Sequence, residues 1–148
     1  MIRLNGERTD LVVGAGETNN AYAVRRNSAP AGFAAVPLHV HRGAEEAFYV
    51  TEGELSVYAD GRWHAMPAGS FVLIPRGTRH ALGNAAARPV HWLTLLSPAA
   101  DAEWVQAEHE LILAAGGAAP DPDALAEVHG RYGLEIIGPA PPFPDPRR

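Results

Sequence analysis

The stretch "LHVHRGAEEAFYVTEG", residues 38–53, places two histidines on either side of one apolar residue and follows them with a pair of acids. On a β-strand, residues two apart point to the same face, so His39 and His41 would project together. Glu46 comes five residues after His41, which leaves room for a turn and the start of a neighbouring strand. The stretch therefore predicts either a metal site or two buried imidazoles held by hydrogen bonds.

A second stretch, "GSFVLIPRGTRHALGN" at residues 69–84, carries a further candidate ligand. His80 directly follows a Pro/Gly turn and begins another predicted strand. Three neutral imidazoles and one carboxylate suit iron, manganese, nickel, cobalt or zinc better than copper(I) or calcium. If these side chains bind a metal, the cofactor is one divalent transition metal ion of that group.

The sequence around these stretches has the pattern of an antiparallel barrel or sandwich. Residues 11–97 form short extended runs separated by Gly, Pro and Asp turn signals. Asp60-Gly61 predicts a type I′ hairpin turn, because both central positions need positive φ. The runs at 70–75 and 90–96 are apolar at successive positions, as in strands buried on both faces. We therefore expect C-terminal helices, a second subunit or both to cover the outer face.

The character of the sequence changes after the last predicted strand. Apolar residues recur at helical spacing until Gly116-Gly117, and a second helix is predicted from about Asp121 to Gly133. The last residues contain too many prolines for a helix or a central strand. The predicted organisation is a barrel at 1–97, a helical extension packed on it at 98–138, and an extended or disordered tail at 139–148.

Composition limits the classes of function. The chain has 148 residues, enough for one domain, and its formal charge of -5 includes no basic stripe for nucleic acid or an anionic membrane. It contains no cysteine and no lysine, so thiolate metal sites, cysteine nucleophiles and Schiff-base chemistry are excluded. No run approaches the ~18 apolar residues of a membrane span. We expect a cytoplasmic protein whose partner is a small molecule.

Together the two stretches resemble the two defining motifs of the cupin superfamily. The first reads H-x-H-x4-E-x6-G and ends at Gly53, and the second reads G-x5-P-x-G-x2-H-x3-N and ends at Asn84. One departure is that Gly32 lies one residue further upstream than usual. The resemblance covers about residues 20–97, with the core motifs at 32–84. It implies an all-β antiparallel double-stranded β-helix, a jelly-roll barrel, that holds one metal ion on His39, His41, Glu46 and His80.

The resemblance also decides which acid would bind. Adjacent strand residues face opposite ways, so only one of Glu45 and Glu46 can be a ligand. The spacing in the family selects Glu46, and Glu45 is expected in solvent or paired with an arginine.

Strand alternation predicts the substrate pocket. Phe48 and Val50 share the face of Glu46, and either His91 or Trp92 must turn inward from its strand. These four residues are the predicted pocket walls. The remaining polar candidates are interpreted as packing, surface or turn residues: His64, His109, His129, Arg76 and Arg79.

The sequence looks like the single-domain quercetin-dioxygenase-like cupins. That resemblance implies a metal-dependent oxygenase acting on an enol or phenol, with Glu46 taking the substrate proton. Two alternatives remain: a non-oxidative cyclase, isomerase or lyase that uses the metal as a Lewis acid, and a non-catalytic ligand-binding module. A homodimer is expected, because it is the commonest closed oligomer and frequent among cupins.

Overall fold

The computed structural model of the protein describes residues 6–144. Within them the chain forms ten strands, three α-helices and one 3-10 helix, so the predicted all-β class with a C-terminal helical region is confirmed. In chain order the elements are β1 (Arg8–Val13), α1 (Ala15–Thr18), β2 (Ala23–Ala29), β3 (Leu38–His41), β4 (Glu45–Glu52), β5 (Glu54–Ala59), β6 (Arg62–Pro67), β7 (Phe71–Ile74), β8 (Ala81–Gly83), β9 (Val90–Ser97), the 3-10 helix (Ala99–Glu103), α2 (Trp104–Ala114), α3 (Pro122–Arg131) and β10 (Leu134–Gly138).

Antiparallel pairing arranges the strands in two layers. The first layer is a five-stranded sheet in the order β1-β2-β9-β4-β7. The second contains the three-stranded sheet β6-β5-β8 and the pair β10-β3. A bridge between His39 and His80 joins these two parts. The result is an antiparallel double-stranded β-helix, as predicted.

Local sequence signals account for the hairpins. β5 and β6 are joined through Asp60 and Gly61, whose φ angles are 51° and 79°. Positive φ at both central positions is what a type I′ turn requires, and it is the geometry that the dipeptide predicts. The turn fixes the register in which Tyr58 lies opposite Trp63.

Inward-facing apolar side chains fill the space between the layers. Phe48, Val50 and Leu55 are fully buried, and Val57 and Trp92 are 1% exposed. Burial of each such side chain contributes roughly 1.5–3 kcal/mol to the free energy of unfolding, so this apolar core dominates the stability of the barrel.

The outer face of the five-stranded sheet is not covered by the C-terminal helices. Phe71 and Leu73 on β7 are 59% and 53% exposed, and Tyr49 beside them on β4 is 40% exposed. Of the two expected covers, the C-terminal helices therefore leave this face open, and cover by a second subunit stays a prediction. The expected homodimer stays a prediction, and this apolar face is the surface on which we expect it to form.

The C-terminal extension ends in a strand rather than in a helix. The two predicted helices are present, and the Asp121 side chain caps α3 by accepting hydrogen bonds from Asp123 N and Ala124 N. β10 then pairs with β3, so residues 98–138 are only partly helical. The prolines begin after Gly138 and leave this strand uninterrupted. No helix among the described residues is long and apolar enough to cross a membrane.

The first part of the proline-rich tail is docked on the barrel. The Trp63 indole donates a hydrogen bond to Pro142 O at 3.0 Å and packs its ring against Phe143, with ring centroids 4.6 Å apart. Residues 139–144 form neither helix nor strand, and Pro142 and Phe143 are held against Trp63. Residues 145–148 lie outside the described part of the chain.

Gly53 and Gly61 allow a matched test of backbone packing. Both have positive φ, +76° and +79°. A β-carbon on Gly53 would lie 2.4 Å from Pro89 O, whereas one on Gly61 would have no described atom within 4 Å. We expect Gly61→Ala to cost about 1–2 kcal/mol for the left-handed conformation, and Gly53→Ala to cost at least about 2 kcal/mol more because a backbone oxygen must move. Urea unfolding measures both, and equal losses would contradict the close approach.

Candidate metal centre

Four side chains from three parts of the chain converge inside the barrel. One ligand atom from each of them lies within 4.8 Å of all the others. All four residues are buried, with exposed fractions between 0% and 8%. They are the residues that the sequence predicts as metal ligands: His39, His41, Glu46 and His80.

Backbone pairing on both sides fixes the strand that carries the first two histidines. On one side, His39 N donates to His80 O and His80 N donates to His39 O, both at 3.0 Å, and Gly77 N donates to His41 O at 2.9 Å. On the other side, β10 places Leu134 opposite His41. The same two-residue alternation that the sequence suggests thus turns both imidazoles inward.

Hydrogen bonds to the backbone orient two of the imidazole rings. His39 Nδ1 lies 2.8 Å from Pro37 O, and His80 Nδ1 lies 2.9 Å from Thr78 O. A carbonyl oxygen can only accept, so Nδ1 carries the proton in both rings. The Nε2 atoms are the ones left to bind within the cluster, an arrangement typical of metal-ligating histidines.

Glu46 supplies the negative charge of the cluster. Its Oε2 lies 2.9 Å from His80 Nε2 and 3.2 Å from His41 Nε2. Burial would raise the pKa of Glu46, but the charge and close contact of His41 and the hydrogen bond with His80 outweigh it and hold the pKa well below its usual range. Glu46 is therefore ionised at neutral pH.

The histidines of the cluster differ in protonation. Burial, reinforced by the charge of His80, lowers the pKa of His39 to about 3. Burial would also lower the pKa of His80, but its hydrogen bond to Glu46 and the negative charge there raise it. His39 is thus neutral near pH 7, the form that binds metals, while Glu46 stabilises a proton on His80.

The environment of His41 fits a bound cation. Both of its ring nitrogens are buried without a hydrogen-bond partner among residues 6–144, because the 3.2 Å contact to Glu46 lacks hydrogen-bond alignment. An unsatisfied buried polar group costs about 1–3 kcal/mol. Three imidazoles and a carboxylate are also a donor set that divalent transition metals accept. The cluster could therefore hold one such ion.

A cavity of about 800 Å³ opens beside the cluster. Pockets for small molecules typically measure about 300–1,000 Å³. His39 and Glu46 form part of its wall, and α2, α3 and β10 form the opposite side. The C-terminal extension thus supplies one side of a cavity at the mouth of the barrel.

Sequence reasoning missed a polar pair on the helical side of the cavity. His129 Nε2 lies 3.1 Å from Glu108 Oε2, and the His129 ring meets Trp104 edge to face at 5.7 Å. His129 is 8% exposed, so its interpretation as a helix-surface residue is wrong. The helical spacing of Trp104 and Glu108 was the available signal, since residues four apart share a face.

The predicted pocket residues need correction. Phe48, Val50 and Trp92 do face inward, as their alternation predicts, but they form the core beneath the cluster and are absent from the described cavity wall. His91 is exposed on the outer face, so its predicted pocket role is wrong. The alternation of the strand turns His91 outward, because Val90 and Trp92 on either side of it occupy the inward positions.

The acid next to the cluster behaves as expected. Glu45 Oε1 lies 3.5 Å from Arg76 Nη2 on the surface, which confirms an ion pair with an arginine rather than a place in the cluster. Arg76 is therefore paired, whereas Arg79 is an exposed turn residue as predicted.

Comparison with known proteins agrees with this geometry. The family described as "Cupin domain" matches residues 28–96. Over 47 residues, 32% of the chain, the sequence is 38% identical to quercetin 2,3-dioxygenase of Bacillus subtilis (strain 168). That match spans only 14% of the length of the dioxygenase.

Two solved structures with this fold illustrate the range of its relatives. A Klebsiella pneumoniae protein with a double-stranded β-helix domain superposes with a TM-score of 0.56 at 22% identity, over 66% of this chain and 84% of its own. The DMSP lyase DddQ from Ruegeria pomeroyi gives 0.53 at 26% identity, over 62% of this chain and 46% of its own. Motifs, fold and family match agree: the chain contains a cupin domain at residues 28–96, with a cluster of three histidines and one glutamate that could bind a metal ion.

Proposed function

We propose that this protein is a metal-dependent enzyme that acts on a small enol or phenol, with dioxygenase chemistry of the quercetinase type. The observation that carries the proposal is the position of the cluster, whose residues His39 and Glu46 lie in the wall of a cavity of substrate size. A metal held only for structure is normally enclosed by its ligands, whereas a catalytic one keeps positions open to a substrate. The partial identity to a quercetin dioxygenase supports the oxidative chemistry.

The residues of the chain have separate roles in this proposal. His39, His41, Glu46 and His80 would hold the ion, which supplies a Lewis acid and a redox centre when bound. Glu46 is ionised, so it is in the form that accepts a proton. A carboxylate with a low pKa is a weak base, and it therefore suits the acidic hydroxyl of an enol or phenol better than an unactivated C–H bond.

A non-oxidative reaction is the second candidate. It is favoured by the likeness to a lyase of the same fold at 26% identity. The same ligands and cavity would then polarise a substrate oxygen for elimination or isomerisation without oxygen. A ligand-binding module that performs no reaction would show binding without turnover.

Metal binding is tested first. Protein purified without a metal-affinity step is expected to bind about one Ni²⁺ or Co²⁺ ion in calorimetric titration. His41→Ala should lower the affinity by at least about 100-fold, since even residues behind the ligands typically contribute 10–100-fold.

His91→Ala is the matched control for that titration, because His91 is exposed and lies outside the cluster. It should bind the ion as the unchanged protein does. Equal affinity of the His41 variant and the unchanged protein, with both folded by circular dichroism, would rule the cluster out as the metal site.

Oxygen dependence separates the two reactions. The protein loaded with iron, manganese, nickel or cobalt is expected to consume oxygen in proportion to substrate, across a panel of flavonols and enolic polyketides in an oxygen electrode. Equal turnover under strict anaerobiosis would replace the dioxygenase proposal with the non-oxidative one. Binding without turnover under either condition would leave only the binding module.

A further inference from the structure

The inner face of the five-stranded sheet carries a strip of polar side chains that lines the same cavity as the cluster of three histidines and Glu46. Its members lie on three adjacent strands, all face the cavity, and are buried to within 7% exposure. Strand register places Thr9 opposite Asn27 and Arg25 opposite Thr94. We call these four residues the polar strip: Thr9, Arg25, Asn27 and Thr94.

The Thr94 hydroxyl is arranged as a donor toward the cavity. Its Oγ1 accepts from Asn27 Nδ2 at 2.9 Å and from Trp92 Nε1 at 3.1 Å. The same Asn27 nitrogen lies 3.4 Å from Arg25 O. Because a carbonyl oxygen only accepts, the Asn27 atom at this position is the NH₂ group, which donates. A hydroxyl has two acceptor positions and one hydrogen. Both acceptor positions of Thr94 are used, so its hydrogen is left for another molecule.

The Thr9 hydroxyl points to the same conclusion independently. Thr9 is 2% exposed, and its Oγ1 has no hydrogen-bond partner within the described part of the chain. Valine has the same shape and would bury a methyl group at this position without an unsatisfied hydroxyl. A buried hydroxyl in a cavity wall is therefore explained by a ligand atom that binds it.

Arg25 adds positive charge to this wall. It lies directly opposite Thr94, and its Nη2 donates to Ala102 O in the 3-10 helix, which fixes the guanidinium against the sheet. Glu7 lies in the same wall, so net charge does not decide the ligand. The kind of group that binds is decided instead by the two hydroxyl donors beside the guanidinium. A carboxylate is the group that accepts several such hydrogen bonds at once.

From these observations we propose that the polar strip binds the carboxylate of the substrate, so that the protein acts on aromatic or enolic acids. This inference rests on the proposed function, which places the reacting oxygen of the substrate at the cluster. Thr94 and Glu46 are diagonal neighbours on β9 and β4, a separation of about 7–8 Å between such positions. Arg25 is two strands across and two residues along from Glu46, about 12 Å. A substrate with an aromatic ring between its two polar ends spans that distance.

Caffeate and its neutral primary amide test the strip, because they share the catechol and differ at the carboxylate. Calorimetry on metal-loaded protein is expected to show tighter binding of caffeate than of the amide. Thr9→Val should weaken caffeate binding by about 10- to 100-fold, the value of a hydrogen bond to a charged group. The amide should be affected less, and Thr9→Ser, which keeps the hydroxyl, should bind caffeate as before.

The stability of the same variants separates recognition from folding. Thr9→Val loses no intramolecular hydrogen bond, so its urea midpoint should be unchanged or higher while caffeate affinity falls. Equal binding of caffeate and the amide, or no loss in Thr9→Val, would overturn the polar strip as a carboxylate site. Failure of the proposed function has a different signature, namely caffeate binding that is equal with and without the bound metal.

Discussion

Burial of three imidazoles and a carboxylate inside one barrel is the constraint on which the rest of the structure depends. An ionised carboxylate in such a place is stable only when its charge is compensated. Glu46 meets this condition through His80 and His41, and the rings of His39 and His80 are held in turn by backbone carbonyls. The hydrogen bonds on both edges of β3 keep these groups in register. The fold around the cluster thus holds its four side chains in the positions that compensate the charge of Glu46.

The barrel divides its interior into two parts with different chemistry. Below the cluster, Phe48, Val50 and Trp92 pack into an apolar core that excludes water. Above it, the lining is mixed, with Arg25, Thr94 and the residues of the C-terminal helices around an open space. An apolar floor beneath a lining of mixed polarity is the arrangement that small-molecule sites in proteins commonly have. The Trp92 indole links the two parts, because it packs in the apolar core and its N–H donates a hydrogen bond to Thr94 Oγ1 in the cavity wall.

Local sequence patterns predicted the strands and turns of the barrel, and the resemblance to the two cupin motifs predicted the four residues of the cluster. The alternation of His39 and His41, the Asp60-Gly61 turn and the spacing to Glu46 are readable from neighbouring residues. The cavity wall was not readable in the same way, since it is assembled by contacts between residues far apart in the chain. Arg25 meets Ala102 and Glu108 meets His129 only after the extension folds back over the mouth.

Two specific errors show where local rules fail. The choice between His91 and Trp92 required the register of β9, which no short motif supplies. The strand β10 follows directly after a helix, and its pairing with β3 is set by tertiary contact rather than by composition. The outer positions on β7 were identified correctly as apolar, but no contact within the described residues covers Phe71 or Leu73.

The central claim is that three histidines and one glutamate share a single metal ion at the wall of the cavity. X-ray absorption at the metal edge of protein loaded with one equivalent of Ni²⁺ tests it most directly, because ordered imidazole rings give a characteristic multiple-scattering pattern. We expect a spectrum that requires three imidazole ligands with oxygen in the remaining positions, reduced to two imidazoles in His41→Ala. A spectrum of oxygen ligands alone, or one unchanged by that substitution, would contradict it.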